Sequence, residues 1–175
     1  MLERIYFDAC VFIELLQQSD AVRFDACEAL RVKALREELI IVTSSWSIVE
    51  VNKLPPNPKD PQKSRKLPKE KSKQILAFFE NPYIAIRTLD RQTAEYAHEI
   101  VQDYGLSNGD ATHVATAILN KVPVLYTYDG CGGKKGLLDF HLRIGSPPLR
   151  IEMPPDPDDK TLFSKKVLDE RKQLE

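Results

Sequence analysis

Four acidic residues stand near the ends of predicted strands and helices, although they are far apart along the chain. Asp8 and Asp129 each follow a short apolar strand, and Asp110 stands where a helix begins. Glu50 lies about two helical turns past a third strand, so its side chain can reach back over the sheet edge. Parallel α/β sheets collect functional groups at the carboxyl ends of their strands, so these acids are expected to meet there. Clustered carboxylate oxygens favour hard divalent cations, which makes cation binding the predicted chemistry.

Strands and helices alternate along the chain, which is typical of βα units built around a parallel sheet. Short β-branched or apolar segments predict strands at residues 4–9, 39–43, 83–88 and 123–128, with an edge strand at 150–153. Apolar residues at helical spacing predict a helix that starts in 11–16 and further helices at 20–38, 46–54, 74–80, 90–104 and 110–120. Asp90 and Gly105 are the expected caps of the helix at 90–104, and Ser44 or Ser45 can cap the helix at 46–54.

Length and composition indicate a single globular domain with no unusual bias. The chain has 175 residues and a net charge of −1, so overall charge does not mark it as a nucleic-acid binder. Its three cysteines, Cys10, Cys27 and Cys131, show neither metal-binding spacing nor a paired framework, which favours reduced thiols in a cytoplasmic protein. We expect no signal peptide, because the first strand begins almost at Met1, and no run is long enough to span a membrane.

Two segments lie outside the alternating pattern. Residues 55–73 combine prolines with many lysines and arginines, for which a solvated, flexible segment is the ordinary interpretation. Residues 154–175 read as a proline-rich acidic spacer followed by a polar helix. The glycine-rich loop at 130–136 lacks the spacing of a nucleotide-binding P-loop, so nucleotide binding there is rejected. Lys134 and Lys135 in that loop are weaker candidates for a phosphate contact than the basic segment.

The acids belong to short motifs whose order and spacing resemble the PIN-domain family over residues 1–151. The motifs are Tyr6-Phe7-Asp8, Thr43-Ser44-Ser45 with Val49-Glu50-Val51, Gly109-Asp110-Ala111 with Ala115 and Ala117, and Leu125-Tyr126-Thr127-Tyr128-Asp129. The resemblance implies a three-layer α/β/α fold with a central parallel sheet. It also implies a Mg²⁺- or Mn²⁺-dependent endoribonuclease, and many members are toxins of bacterial toxin–antitoxin pairs.

The resemblance also assigns roles to individual residues. Asp8, Glu50, Asp110 and Asp129 would be both the metal ligands and the catalytic residues, with Asp129 as the fourth acid. The expected partners are an RNA substrate, a small antitoxin and a second copy of the chain in a homodimer. Beside a phosphodiesterase site, the basic segment becomes a candidate for gripping RNA, and the candidate substrate contacts are Lys63, Arg65, Lys66, Lys69 and Ser44. The predicted domain covers 1–153 with the insert 55–73, and the tail covers 154–175.

The chemistry predicts specific electrostatics at this site. Asp110 lies near a helix N-terminus, which favours its ionised form. Several packed acids repel one another and take up protons when no metal is bound, so metal should stabilise the fold. The family often has a serine, threonine or asparagine shortly after the first acid. In this chain Asp8 is followed by Ala9 and Cys10 instead.

Each acid also has an ordinary structural interpretation. Asp8 could be a turn residue, Glu50 a solvated helix residue, Asp110 an N-cap and Asp129 part of an Asp-Gly turn. His113, one turn after Asp110, is expected to be packed or hydrogen-bonded rather than a ligand.

Other functions stay open at this stage. They are a catalytically inactive RNA- or protein-binding scaffold and a nuclease acting on DNA. Phosphoryl transfer on a similar sheet is disfavoured, because Asp8-Ala9-Cys10 supplies neither an adjacent acidic pair nor an Asp-x-Asp motif.

Overall fold

Five parallel strands form the centre of the computed structural model, which describes residues 2–51, 68–133 and 135–157. The strands are β1 (Glu3–Phe7), β2 (Leu39–Ser44), β3 (Ile84–Arg87), β4 (Val124–Tyr126) and β5 (Arg150–Glu152). The helices are α1 (Ala9–Gln17), α2 (Ala21–Leu35), α3 (Ser45–Glu50), α4 (Lys69–Phe79), α5 (Arg91–Tyr104) and α6 (Asn108–Leu119), and a 3₁₀ helix covers Leu137–Phe140. The predicted parallel sheet, including the edge strand, is confirmed.

Alternating side chains of β1 divide the core into two layers. Ile5 and Phe7 face the cluster that contains apolar residues of α1, α2 and α4. Tyr6 faces the opposite cluster, which contains apolar residues of α5 and α6. A strand covered on both faces must be apolar throughout, as β1 is between Ile5 and Phe7. The predicted three-layer α/β/α architecture is therefore confirmed.

The strand order β3-β2-β1-β4-β5 places a topological switch beside β1. The chain runs outward from β1 through β2 to β3, then crosses back to place β4 on the other side of β1. Connections leave in opposite directions at such a point and open a crevice at the carboxyl ends of the two strands, where α/β proteins bind ligands. Asp8 directly follows β1, and its N–H donates to the carbonyl oxygen of Tyr126 in β4 at 3.1 Å. The first predicted acid therefore sits at the switch point.

Local signals determined the ends of α5. The Asp90 side chain accepts a hydrogen bond from the N–H of Thr93 at 2.8 Å, and Gly105 adopts the left-handed conformation with φ 69°. The Gly105 N–H donates to the carbonyl oxygen of Val101, which closes the last turn. Both predicted caps are confirmed.

Several helix boundaries differ from the sequence-based prediction, and α2 for example ends at Leu35 rather than at residue 38. Helix α3 ends at Glu50, with Val51 as its C-cap, rather than continuing to residue 54. Helix α4 begins at Lys69, five residues before the predicted start at 74, because the good helix formers at 69–73 continue the same helix. Helix α6 begins at Asn108, two residues before the predicted start, since the Ser107 hydroxyl accepts the Asp110 N–H and caps the helix. Asp110 is therefore a first-turn residue and not the N-cap.

Parts of the sequence-based interpretation lie outside the described residues. These are most of the basic insert, with Lys63, Arg65 and Lys66, and most of the predicted tail. The division into a domain at 1–153 and a tail at 154–175 stays a prediction. All three cysteines are described, and none forms a disulfide. Within the described ranges, no helix combines the length and apolar character needed to cross a bilayer.

Candidate functional site

Asp8 lies at the end of β1 and is held from several directions. It is the N-cap of α1, where its carboxylate accepts the N–H of Ala9. The hydroxyl of Thr127 donates to Asp8 Oδ2 at 2.7 Å, and the thiol of Cys10 lies 3.2 Å from the same oxygen. The side chain of Asp8 is buried, with 5% of the residue exposed. Its position and orientation are therefore determined before any ligand arrives.

His113 connects Asp8 to Glu50. Its Nε2 lies 2.8 Å from Glu50 Oε2 and 3.1 Å from Asp8 Oδ1, while its Nδ1 lies 2.9 Å from the Tyr6 hydroxyl. Ionised carboxylates only accept hydrogen bonds, so Nε2 carries the proton and donates it. In the neutral imidazole, Tyr6 donates to Nδ1 while its oxygen accepts the N–H of Ser44 at 3.0 Å. The chain Ser44–Tyr6–His113 thus orients the imidazole toward both carboxylates.

Burial and charge act in opposite directions on the titration of His113. Desolvation by burial lowers its pKa, but the negative charge of Asp8 and the hydrogen bond and charge of Glu50 raise it, and the net shift is upward. The pKa of Tyr6 is raised well above its ordinary value, first by burial and then by the Asp8 charge, so its hydroxyl stays protonated. The nearby carboxylates therefore favour a proton on the His113 imidazole, and the Tyr6 phenol keeps its own proton.

Asp110 faces the same cluster from the first turn of α6. The Ser107 hydroxyl donates to Asp110 Oδ2 at 2.7 Å and accepts the Asp110 N–H at 3.2 Å. Burial raises the pKa of Asp110, the Ser107 hydrogen bond opposes this, and the charges of Asp129 and Asp8 raise it further. The upward direction agrees with the predicted mutual repulsion among the acids, and the helix N-terminus does not outweigh it.

Asp129 is held at the end of β4 by the same hydroxyl that holds Asp8. Its N–H donates to Thr127 Oγ1 at 3.0 Å, and its Oδ2 accepts the N–H of Leu137 at 2.7 Å. Asp129 therefore anchors the glycine-rich loop to the 3₁₀ helix, and it also lines a cleft together with Asp110. An anchoring role and a ligand role are compatible, because a carboxylate has two oxygens.

Gly109 allows helices α3 and α6 to approach closely at this point. A Cβ atom at Gly109 would lie 2.8 Å from Glu50 Oε1 and 3.2 Å from Trp46 Nε1. The indole N–H of Trp46 is buried and has no hydrogen-bond partner within the described residues. The absence of a side chain at 109 is what lets the Glu50 carboxylate lie against α6.

The clustered groups fit a divalent cation. One ligand atom each from Asp8, Glu50 and His113 lie within 4.8 Å of one another, and Asp110 and Asp129 lie beside them at the rim. Carboxylate oxygens suit Mg²⁺ and Mn²⁺, and an imidazole nitrogen is better tolerated by Mn²⁺. The donor set therefore matches the predicted cofactor class, while the choice between the two metals stays open.

The four predicted acids come together at one edge of the sheet, whereas the predicted substrate contacts do not form one group. Ser44 is fully buried, and its side-chain oxygen accepts the N–H of Trp46 as the N-cap of α3, which confirms the predicted cap. A direct contact between Ser44 and a substrate stays a prediction, and its burial argues against one. Lys69 is exposed at the start of α4.

Several residues of the site were not identified from the sequence. They are Tyr6, Cys10, Ser107 and Thr127, whose hydrogen bonds hold the acids and His113. Ser107 stands three residues before Asp110, and this spacing is a capping signal that could have been used. No local signal marks Tyr6 or Thr127, because their partners are distant in the sequence. The expectation that His113 is packed and hydrogen-bonded is confirmed.

Comparisons with known proteins agree with this architecture. The family model described as PIN domain matches residues 5–130. VapC20 of Mycobacterium tuberculosis, a toxin that cleaves the sarcin-ricin loop, has a similar structure with a TM-score of 0.56 and 17% identity, and the match covers 73% of this chain and 91% of VapC20. VapBC2 of Rickettsia felis, bound to a DNA fragment from its promoter, matches with a TM-score of 0.54 and 16% identity over 85% of this chain and 98% of the other. No curated protein matches the sequence.

Proposed function

Because this chain belongs to the PIN-domain family, we propose that it is a metal-dependent endoribonuclease. The observation that carries the proposal is the meeting of Asp8, Glu50, Asp110 and Asp129 at the switch point of the sheet, where ligand atoms of Asp8, Glu50 and His113 lie within 4.8 Å of one another. The physiological cation would be Mg²⁺ or Mn²⁺.

The proposed division of roles follows from how each side chain is held. Asp8 and Glu50 are the fixed ligands, since hydrogen bonds restrain both carboxylates. Asp110 and Asp129 close the site from the cleft side, where their carboxylates can accept hydrogen bonds from the attacking water. A bound divalent cation would supply Lewis-acid stabilisation of the phosphate oxygens and lower the pKa of a water molecule. No histidine or serine nucleophile is required.

The substrate and partners are proposed from family membership and from the similar structures. VapC20, which has a similar fold, is a toxin that cleaves the sarcin-ricin loop, and this supports RNA as the proposed substrate class. Many PIN-domain proteins are toxins of toxin–antitoxin pairs, so we assign this chain the toxin role, with a small antitoxin as inhibitor and a homodimer as the working form. In this proposal Lys69 and the basic residues Lys63, Arg65 and Lys66 contact the RNA backbone, and the protein acts in the cytoplasm.

The decisive experiment compares cleavage of a mixed single-stranded and hairpin RNA pool, and of a DNA pool, by wild type and Asp110→Asn. Each is assayed with Mn²⁺, with Mg²⁺ and with EDTA. Asp110→Asn is preferred to Asp8→Asn, because the Asp8 carboxylate accepts from several donors and an amide cannot replace both oxygens. We expect metal-dependent RNA cleavage that falls roughly 10²–10³-fold in Asp110→Asn, the scale for losing one preorganised electrostatic contribution.

The matched control is Asp25→Asn, which removes an exposed carboxylate on α2 and should cleave as wild type does. Equal cleavage by Asp110→Asn and wild type would refute the site assignment. Cleavage of DNA alone would correct the substrate class. Metal binding without cleavage of either pool would identify a scaffold rather than an enzyme.

A further inference from the structure

An open cleft adjoins the acidic cluster on the side of α5. Its volume is about 760 Å³, and Asp110 and Asp129 form the wall that it shares with the candidate metal site. The other walls come from the end of α5, including Tyr104, and from the segment around the 3₁₀ helix, including Phe140 and Arg143. Binding sites for nucleotide-sized ligands fall in this volume range. An RNA strand bound at the candidate metal site could therefore place a neighbouring nucleotide in this cleft.

An aromatic pair lies on the wall away from the acids. The rings of Tyr104 and Phe140 are 6.3 Å apart between centroids and meet edge to face at 85°. Tyr104 is 38% exposed, although its partner Phe140 packs partly into the core. Gly105 ends α5 in the left-handed conformation directly after Tyr104, which leaves the ring at the helix end facing the cleft. Aromatic rings in this position are stacking platforms for nucleobases.

Two basic side chains, Arg143 and Lys135, also line the cleft. Arg143 is exposed, and its guanidinium forms no ion pair within the part of the chain that the structure describes. Its backbone N–H donates to the Phe140 carbonyl oxygen at 3.0 Å, so the cation and the aromatic ring belong to one turn. Lys135 lines the same cleft. The remaining carboxylate there, Asp139, accepts the N–H of Gly136 at 3.1 Å.

We propose that this cleft binds the nucleotide next to the scissile phosphate, with its base against Tyr104 and Phe140 and its phosphate at Arg143. The proposal rests on the proposed nuclease function and deepens it. A guanidinium matches the geometry of phosphate oxygens, and a base reaches an aromatic wall inside a cleft only when it is unpaired. The chemistry recognised is therefore an unpaired nucleotide in a single-stranded segment.

The test measures binding rather than turnover. Fluorescence anisotropy follows a fluorescein-labelled single-stranded RNA of about 12 nucleotides, within the length range of such sites, in EDTA so that metal-dependent cleavage is blocked. Tyr104→Ala should weaken binding roughly tenfold, and Tyr104→Phe should bind nearly as wild type does. Arg143→Ala should weaken binding roughly tenfold and reduce the salt dependence by about one phosphate contact.

The matched control is Arg91→Ala, at the opposite end of α5, where the arginine is exposed and forms an ion pair with Glu95. It should bind RNA as wild type does. A duplex of the same sequence should bind more weakly than the single strand. Wild-type affinity in both Tyr104→Ala and Arg143→Ala, equal affinity for duplex and single strand, or no binding by wild type would each overturn the proposal.

The two proposals can fail separately. Metal-dependent cleavage that is lost in Asp110→Asn, together with unchanged RNA affinity in the cleft variants, would leave the nuclease standing and remove the subsite. The expected binding losses without any cleavage by wild type would leave a single-strand binding cleft on a protein that is not a nuclease.

Discussion

His113 holds two carboxylates together with one nitrogen. Its Nε2 lies within 3.1 Å of both Asp8 and Glu50, and the residue is 1% exposed. Two carboxylates that share one hydrogen-bond donor are close enough to repel each other. Burying a carboxylate without a donor also lowers the stability of the fold. Until a cation binds, the imidazole is the donor that Asp8 and Glu50 share. The residue therefore stabilises the metal-free protein.

Replacing His113 tests this role at the residue scale. His113→Ala should lower the free energy of unfolding in EDTA by about 3 kcal/mol, the scale for removing one partner of a buried ion pair. Saturating Mn²⁺ should restore part of that loss, because a cation also neutralises Asp8 and Glu50. Urea unfolding with and without Mn²⁺ measures both effects. His98→Ala, which removes an exposed histidine on α5, is the control and should change neither. A loss of equal size with and without Mn²⁺ would show that His113 acts only as core packing.

Helices α3 and α6 position the acids through a close contact rather than through a long interface. Glu50 ends α3, and Gly109 and Asp110 occupy the first turn of α6. The side-chain-free surface at Gly109 meets the carboxylate of Glu50 and the indole of Trp46. The distance between the two helices at this point therefore determines where the Glu50 oxygens lie.

Gly109→Ala distinguishes the effect of this position on helix stability from its effect on metal binding. Alanine favours a helix by about 1 kcal/mol over glycine, which offsets a weakened hydrogen bond between Glu50 and His113, so the melting temperature in EDTA should change little. The new methyl would meet Glu50 Oε1 at 2.8 Å, so this carboxylate must move and Mn²⁺ affinity should fall at least about tenfold.

Fluorescence of Trp46, the only tryptophan, provides the titration signal. Asn108→Ala, at an exposed neighbouring position in the same turn, should leave Mn²⁺ affinity unchanged. Unaltered affinity in Gly109→Ala would mean that Glu50 is not a ligand.

The stability of the whole molecule should depend on pH through this site, with opposite signs with and without metal. The contribution of the site should fall as pH rises in EDTA, and it should rise with pH in saturating Mn²⁺. The pKa of Asp110 is raised by burial and by Asp129 and Asp8, and the pKa of His113 is raised overall by Asp8 and Glu50. At these two groups the folded state therefore binds more protons than the unfolded state, and their contribution to the free energy of unfolding in EDTA falls as pH rises. For Asp110 the loss begins near its ordinary pKa of 3.8, and for His113 near 6.5.

Urea unfolding from about pH 4 to pH 8 measures this dependence. In Asp110→Asn the acid part of the slope should disappear, while the His113 part remains. Saturating Mn²⁺ should reverse the slope, because protons compete with the metal for the same carboxylates. At about 100 times its dissociation constant the metal adds about 2.7 kcal/mol. A pH dependence in EDTA that is the same in wild type and Asp110→Asn would contradict the direction assigned to Asp110.

The sequence by itself determined the features that depend on near neighbours. Alternating strands and helices, the Asp90 and Gly105 caps, and the placement of Asp8 directly after β1 and of Asp129 shortly after β4 all follow from residues a few positions apart. These local rules, with the known behaviour of parallel sheets, are enough to bring the acids to one edge. They fail at the boundary of α6, where the Ser107 cap displaced the predicted start by two residues.

Only the tertiary structure decided how the acids are held and what adjoins them. The contacts of His113 with Glu50 and Tyr6 span 63 and 107 positions, and the Cys10–Thr127 contact spans 117. The cleft between Tyr104 and Arg143 likewise joins the end of α5 to a loop beyond β4. Periodicity and capping report which face of an element is buried, but they do not report which distant side chain meets it. That choice depends on strand order and on the packing of helices across the sheet, and both are set by the whole chain at once.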